Sequence, residues 1–193
     1  MSNFVVGDPK KCIGCRTCEI ACVDAHSTQN IFLTGMQEIK FEPCLTVIKT
    51  ATFSVPTQCR QCEDAPCANA CPNGSIYEKD NAIFINKETC IGCKTCMLAC
   101  PFGALKLVEY HDDKGAKQIQ AGLQVSNNGS SKLAAKNKMV VQKCDLCVER
   151  TNGVGPACVQ ICPTGSLRVV SDDKLDEDIV NKRLQSALCL ANN

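Results

Sequence analysis

The spacing of the cysteines constrains the fold of this chain more than any other feature of its sequence. Of the 18 cysteines in 193 residues, sixteen fall into four quartets, and each quartet begins with a C-x2-C pair and ends with a C-x3-C pair. The middle gap holds two residues in the first and third quartets, four in the second and ten in the fourth. The quartets are Cys12, Cys15, Cys18 and Cys22; Cys59, Cys62, Cys67 and Cys71; Cys90, Cys93, Cys96 and Cys100; and Cys144, Cys147, Cys158 and Cys162.

These spacings favour iron–sulfur clusters over zinc or disulfides. The run C-x2-C-x2-C-x3-C binds [4Fe–4S] clusters in bacterial ferredoxins. Structural zinc sites use separated cysteine pairs or a mixture of cysteine and histidine, and this chain has only two histidines. Disulfides require an oxidising compartment, but the N-terminal residues show neither a secretory signal nor a twin arginine. We therefore expect four [4Fe–4S] clusters and a cytoplasmic location.

The order of the quartets predicts which cysteines share a cluster. In two-cluster ferredoxins the fourth cysteine of each run binds the other cluster. The second and third quartets are adjacent and predict one module, so the first and fourth quartets must pair around it. The predicted ligand sets are Cys12, Cys15 and Cys18 with Cys162; Cys144, Cys147 and Cys158 with Cys22; Cys59, Cys62 and Cys67 with Cys100; and Cys90, Cys93 and Cys96 with Cys71.

The fold class predicted from this order is α+β, with two nested ferredoxin-like modules built from loops, short hairpins and short helices. Residues 75–85 predict one hairpin, and a second hairpin is expected around Cys44 and Val55. Acidic residues precede an apolar stripe near the C-terminus, which predicts a helix there. The predicted divisions are 1–58, the first half of the outer module with a hairpin insertion; 59–109, the inner module; 110–142, a loop insertion; 143–170, the second half of the outer module; and 171–193, the C-terminal helix.

Composition excludes several classes of function. The 21 basic and 20 acidic residues nearly cancel, which argues against a nucleic-acid binder with a broad basic face. No run of 18 apolar residues predicts a membrane span. The sequence shows no nucleotide-binding motif, no G-x-S-x-G and no acid–base constellation. We therefore predict no catalytic residues, and a chain that conducts electrons between clusters rather than an enzyme by itself.

The whole pattern resembles the four-cluster ferredoxin subunits of molybdenum and tungsten oxidoreductases, of the dimethyl-sulfoxide-reductase type. The resemblance covers residues 1 to about 170 and is most specific at 59–72, 143–147 and 155–158. Within this group the chain looks most similar to small soluble subunits of formate dehydrogenase–hydrogenase assemblies, such as formate hydrogenlyase and hydrogen-dependent carbon dioxide reductase. The resemblance implies a formate dehydrogenase catalytic subunit on one side and a hydrogenase, or another ferredoxin-like subunit, on the other.

Three other functions remain open at this stage. The chain could serve another molybdenum enzyme, such as a reductase of sulfur, nitrogen or arsenic oxyanions. It could be a cluster-containing sensor or scaffold, although no effector domain is visible, or a freely diffusing carrier. The stably bound catalytic subunit would distinguish among them.

Residues outside the quartets are given ordinary structural roles. Cys44 and Cys189 are interpreted as small buried apolar residues, and His26 and His111 as solvated loop residues. Lys143 is expected to offset cluster charge at the surface. The C-terminal helix is expected to carry two apolar faces: a stripe at Val180, Leu184, Ala187, Leu188 and Ala191, and a separate patch at Leu175, Ile179 and Leu190. One face is expected to pack on the chain's own module and the other to dock a partner subunit or a second copy; the alternative is a helix that only covers its own core.

Overall fold

The computed structural model describes residues 3–27, 40–112, 115–126, 133–150 and 154–191. Within these ranges the strands pair only in twos, giving five antiparallel ribbons. The mixture of short strands and helices agrees with the predicted α+β class. The paired strands are β1 (Phe4–Gly7) with β10 (Leu167–Val170), β2 (Leu45–Lys49) with β3 (Ser54–Gln58), β4 (Ile76–Lys79) with β5 (Ala82–Ile85), β6 (Lys106–Glu109) with β9 (Met139–Gln142), and β7 (Ile119–Ser126) with β8 (Leu133–Asn137).

Short helices begin close to the third cysteine of every quartet. This position places that thiol in the first turn of a helix, where it is buried in all four cases. The four helices are α1 (Thr17–Ala25), α2 (Pro66–Asn69), α3 (Thr95–Ala99) and α4 (Ala157–Ile161). Pro66 begins α2, where a missing backbone N–H carries no penalty.

Both predicted hairpins are present. The β4–β5 hairpin turns at Asp80 and Asn81, whose φ values are 50° and 58°. Two consecutive residues with positive φ give a tight turn whose twist matches the flanking strands. In the β2–β3 hairpin, Leu45 and Val47 face the core while Thr46 and Ile48 are exposed. The alternation follows the two-residue period of a strand with one buried face.

The sequence predicts a loop over 110–142, but most of the described part of this segment forms strands β7 to β9. Strand β9 buries Val140 and Val141 against the inner part of the chain. Strands β7 and β8 are mostly exposed, so their weak hydrophobic pattern gave no strand signal. The polar stretch 127–131, which predicted the loop, lies outside the described residues.

A helix, α5 (Asp172–Ala191), follows β10 as the C-terminal sequence predicts. At the start of the helix the backbone N–H of Leu175 donates to the carbonyl of Ser171. Arg168 forms a salt bridge with Asp178 in the second turn. Beyond these contacts residues 181–189 are all exposed. The stripe does not cover the chain's own core: Val180, Leu184 and Leu188 are 52%, 57% and 62% exposed. Among the described helices, none has the length and apolar content needed to cross a bilayer.

The core consists of two neighbouring groups of buried side chains. In both groups cysteines occupy positions where most proteins have larger apolar side chains. One group joins both ends of the chain and contains Val5, Cys22, Cys144 and Leu167. The other surrounds the β4–β5 hairpin and contains Ile83, Cys90 and Val140. Cys100 packs against both groups. No aromatic residue belongs to either group of described buried residues.

Candidate metal centres

The first loop of every quartet has a left-handed residue at the same position. The residue before the second cysteine has a positive φ in all four quartets: 68° at Gly14, 49° at Gln61, 65° at Gly92 and 63° at Leu146. Alternating left-handed and right-handed residues turn successive amide N–H groups toward one concave side, a geometry that binds anions and iron–sulfur clusters. All four quartets therefore form the same kind of cradle.

At Gly92 a glycine is needed both for the positive φ and because there is no room for a side chain. A Cβ at Gly92 would lie 2.5 Å from the carbonyl oxygen of Met139, which belongs to strand β9. Gln61 and Leu146 adopt the left-handed conformation without being glycine, at an intrinsic cost of about 1 kcal/mol each. The sequence did not show the four-fold repeat of this loop, because Gln61 and Leu146 stand where the other two quartets have glycine.

Two cavities are each lined by one of the predicted cysteine sets. Each spans about 310 Å³ of space between protein atoms, a volume that includes open solvent. Their remaining walls are mainly short loops and apolar side chains. One is lined by Cys71, Cys90, Cys93 and Cys96, and the other by Cys12, Cys15, Cys18 and Cys162.

The other eight thiols make up the two remaining predicted sets, and members of each set affect the pKa values of their neighbours. Burial, and then the negative charges of Cys59 and Cys100, raise the pKa of Cys62. The same two thiols add to burial in raising the pKa of Cys67. In the remaining group, burial and the charge of Cys158 raise the pKa of Cys144. A hydrogen bond with Cys44, burial and, more weakly, the nearby charge of Cys144 raise the pKa of Cys22.

We number the four thiol groups for reference as sites 1 to 4. Each contains three cysteines of one quartet together with the fourth cysteine of another quartet. Site 1 is Cys12, Cys15, Cys18 and Cys162; site 2 is Cys144, Cys147, Cys158 and Cys22; site 3 is Cys59, Cys62, Cys67 and Cys100; site 4 is Cys90, Cys93, Cys96 and Cys71.

Hydrogen-bond donors are already directed at several of these sulfurs. The N–H groups of Gln61 and Ser166 donate to Cys59 Sγ at 3.4 Å and to Cys162 Sγ at 3.3 Å. Such donors stabilise the added negative charge of a reduced cluster and so tune its potential.

Two threonines add side-chain donors at corresponding places in the repeat. Thr17 Oγ1 lies 3.3 Å from Cys15 Sγ, and Thr95 Oγ1 lies 3.5 Å from Cys93 Sγ. These hydrogen bonds lower the pKa of Cys15 and Cys93. Sequence reasoning assigned the threonines no role, although their recurrence in Cys15-Arg16-Thr17-Cys18 and Cys93-Lys94-Thr95-Cys96 was a usable signal.

Comparisons with known proteins find relatives that are similar along almost the whole chain. Models of 4Fe–4S dicluster domains match residues 58–105 and 82–163, and a 4Fe–4S binding domain matches residues 9–23. The electron transport protein HydN of Escherichia coli strain K12 is 42% identical over 188 residues, covering 97% of this chain and 99% of HydN. Hydrogenase-4 component A of the same strain is 36% identical over 208 aligned positions, covering 100% of this chain and 94% of that protein.

The chain belongs to this family of 4Fe–4S electron-transport proteins. It carries multiple [4Fe–4S] clusters, and it is a non-catalytic, ferredoxin-type electron-transfer subunit. The predicted resemblance to ferredoxin subunits of formate hydrogenlyase-like complexes is thereby confirmed.

The chemistry of the donor set fits these clusters. Thiolates are the preferred ligands of iron–sulfur clusters, yet burial opposes their formation in the apoprotein. It is the largest cause that raises the pKa of both Cys18 and Cys96 to about 11 and that of Cys158 to about 12. Iron supplies the positive charge that such buried thiolates require, so cluster loading releases protons and is favoured as pH rises.

A buried cation lies between sites 2 and 3. Lys143 is 6% exposed, so it does not solvate the surface as expected. Its Nζ donates to the carbonyl of Cys144 at 2.9 Å and to Gln61 Oε1 at 3.3 Å. Gln61 Nε2 donates to the same Cys144 carbonyl at 2.9 Å. The two side chains thus connect the ligand loops of the two sites through hydrogen bonds.

The remaining singled-out residues have specific partners. His26 Nε2 contacts the Asp145 carboxylate at 3.0 Å, and this hydrogen bond is the main cause that raises the pKa of His26 to about 9. His111 Nε2 accepts from Lys40 Nζ at 2.6 Å. His26 is exposed, as expected for a solvated residue, whereas His111 is only partly exposed; the sequence did not predict the specific partners of either histidine. Cys44 is buried as expected, whereas Cys189 is exposed.

Proposed function

We propose that this chain relays electrons through four [4Fe–4S] clusters between a molybdenum- or tungsten-dependent formate dehydrogenase and a hydrogenase. The sixteen cysteines of sites 1 to 4 are the proposed ligands. The clusters form a row in the order in which the sites are numbered. The inner module, residues 59–109, holds sites 3 and 4, and it is nested within an outer module formed by 1–58 and 143–170. Residues 110–142 and 171–193 are additions to these modules.

Contacts between neighbouring sites support this order. Burial and neighbouring thiolates, Cys18 of site 1 among them, raise the pKa of Cys158 in site 2. The hydrogen bond from Gln61 to the carbonyl of Cys144 joins sites 2 and 3. Cys67 of site 3 adds its charge to burial in raising the pKa of Cys96 in site 4. Each site therefore touches the next one in the row.

Exposure of the ligands is the observation that carries the proposal. Among the sixteen cysteines, only Cys15 and Cys93 are exposed. They belong to sites 1 and 4, the two ends of the row, and corresponding isoleucines, Ile13 and Ile91, flank them with 64% and 55% exposure. Buried central clusters with exposed terminal clusters give separate points of electron entry and exit. A subunit that sits between two redox enzymes needs this arrangement.

The pairing of the chain ends supports the nested arrangement. Strand β1 pairs with β10 over Phe4–Gly7 and Leu167–Val170, and α1 packs on α4. Sites 1 and 2 each take ligands from both ends of the chain. Neither end can complete a site without the other.

The proposed partners rest on different grounds. Similarity to Hydrogenase-4 component A supports the hydrogenase side. The formate dehydrogenase side rests on the sequence resemblance, and a different molybdenum enzyme is the alternative. The cytoplasmic location stays a prediction from the sequence.

Anaerobic purification of the tagged full chain from its native cells tests the proposed partners. We expect a molybdopterin formate dehydrogenase and a hydrogenase to co-purify, with cluster reduction by formate and by hydrogen in the same complex. Co-purification of a sulfur or nitrogen oxyanion reductase would replace the formate side of the proposal. A chain that purifies alone with full clusters would contradict a bridging subunit.

Crossed pairing within the inner module predicts an asymmetric effect of single substitutions. Cys100→Ser is expected to perturb the cluster of site 3 while site 4 keeps four thiolates, because Cys100 completes site 3 in the proposed assignment. Electron paramagnetic resonance of each reduced cluster and iron analysis measure the effect. The matched variant Cys71→Ser should perturb site 4 instead. Perturbation of site 4 by Cys100→Ser would contradict the pairing.

Helix α5 offers an exposed apolar stripe that we propose as a contact with a partner subunit or a second copy. Truncation after Val170 is expected to leave iron content unchanged, because no proposed ligand lies beyond Cys162, and to shift the purified complex to smaller size on gel filtration. Leu184→Ser with Leu188→Ser should act like the truncation, whereas the control Gln185→Ser should not. A complex of unchanged size after truncation would show that α5 is not an interface.

A further inference from the structure

A fifth thiol lies beside site 2. Cys44, just before β2, is 6% exposed, and its backbone N–H donates to Cys22 Sγ at 3.3 Å. The ligand atoms of Cys22, Cys44 and His26 all lie within 4.8 Å of one another. Cys44 also belongs to the same buried group as Cys144 and Cys158 of site 2.

The surroundings of Cys44 differ from those of a buried cysteine that only fills space. Its sulfur accepts a hydrogen bond from Gln142 Nε2 at 3.2 Å, and Gln142 is held in place by donating to the carbonyl of Glu42 at 2.7 Å. An amide donor, a second thiol and a histidine surround the sulfur. These groups favour sulfur as an electron-pair donor, which is the role of a metal ligand.

Cys22 is the ligand of site 2 that can most readily be exchanged. The other three ligands, Cys144, Cys147 and Cys158, come from one stretch of chain near the C-terminal end, whereas Cys22 comes from α1. Three thiolates hold a cluster while the fourth iron changes its ligand. Cys44 reaches the same side of the site as Cys22, since its own amide contacts the Cys22 sulfur.

We propose that Cys44 is a reserve ligand of site 2, which binds the cluster iron when Cys22 does not. The exchange breaks the bond from iron to Cys22 Sγ and forms the bond from iron to Cys44 Sγ. Cys44 loses its thiol proton and Cys22 gains one, so no electron is transferred. Site 2 then keeps four thiolates after loss or oxidation of Cys22. The inference rests on the proposed ligand set of site 2.

Four variants of the full chain, reconstituted anaerobically with iron and sulfide, test the inference. They are Cys22→Ala, Cys44→Ala, the double variant, and the control Cys162→Ala. Alanine is used because a serine oxygen could itself bind iron. Cys162 occupies the equivalent fourth position of site 1, and no fifth cysteine lines the described walls of that cavity. The readouts are iron per chain and the electron paramagnetic resonance signal of a three-iron cluster after mild oxidation.

We expect both single variants, Cys22→Ala and Cys44→Ala, to hold about sixteen iron per chain without a three-iron signal. The double variant and Cys162→Ala should fall to about fifteen iron or fewer and show that signal. Because each substitution alone is tolerated, loss in the double variant cannot be attributed to misfolding caused by either one.

Two results would overturn the inference, and they have different meanings. Loss of iron in Cys22→Ala equal to that in the double variant would show that Cys44 does not replace Cys22, while the proposed ligand set stands. Full iron in all three site 2 variants would show that Cys22 is not a ligand, and the proposed assignment would fail with the inference. In both cases iron loss in Cys162→Ala verifies that the assay detects a missing fourth ligand.

Discussion

Removal of iron from the anaerobically purified chain is expected to abolish its tertiary fold. Among the described residues, nine of the 25 buried apolar side chains are cysteines, and the proposal makes eight of them cluster ligands. The strands form five separate two-stranded ribbons, and such ribbons are marginally stable alone. Without clusters, burial keeps thiols such as Cys18, Cys96 and Cys158 protonated by raising their pKa, and among the described residues no aromatic side chain is buried in the core to fill the space. The free energy of cluster binding is therefore part of the free energy that stabilises the folded chain.

The measurement is circular dichroism and amide hydrogen exchange before and after removal of iron with an oxidant and a chelator, under reductant to prevent disulfides. Before removal the chain should contain about sixteen iron and about sixteen sulfide, four of each per cluster. Chelator without oxidant is the control, since intact clusters should resist it. A chain that keeps protected amides and a cooperative thermal transition without iron would contradict the prediction. Iron near eight per folded chain would contradict four clusters.

Short sequence patterns predicted the structural elements whose formation depends on residues close together in the chain. Turn residues at Asp80 and Asn81 gave the β4–β5 hairpin, and the acidic start and apolar stripe of residues 172–191 gave helix α5. Cys71 lines a cavity with three cysteines of the third quartet, and Cys162 lines one with three cysteines of the first; the crossed ligand sets themselves stay a prediction. Cysteine spacing is informative because the geometry of a cluster fixes the distances between its ligands.

Features that depend on distant parts of the chain could not be predicted in this way. The pairing of β1 with β10 joins residues more than 160 positions apart, and no local pattern records such a partner. Gln61 and Leu146 adopt a conformation that their residue types disfavour, because the cradle imposes it. A lysine is expected to be exposed, yet Lys143 is buried and donates to two acceptors, Gln61 Oε1 and the Cys144 carbonyl, one from each of two ligand loops. Tertiary context decides each of these cases.

The buried ammonium group of Lys143 predicts a large effect on cluster potentials. It lies next to Cys144 of site 2, and its charge lowers the pKa of Cys67 in site 3 against the effect of burial. Reduction adds negative charge to both clusters, and a buried cation stabilises that charge with little screening by water. Lys143→Met keeps the hydrocarbon stem and removes the charge. We expect the midpoint potentials of both clusters to fall by about 59 mV, a tenfold change in a one-electron equilibrium.

Redox titration followed by electron paramagnetic resonance measures this shift, with iron content as the check that all clusters remain. Lys94→Met is the matched control. Lys94 also adjoins a cluster cysteine, Cys93, but it is exposed, so water and salt screen its charge. The control should shift the potential of site 4 much less, and by an amount that shrinks further at high salt. Equal shifts in the two variants would mean that burial does not increase the effect of the Lys143 charge on the cluster potentials. An unchanged potential in Lys143→Met with full iron would show that its role is to hold the Cys144 and Gln61 loops together rather than to set the potential of either cluster.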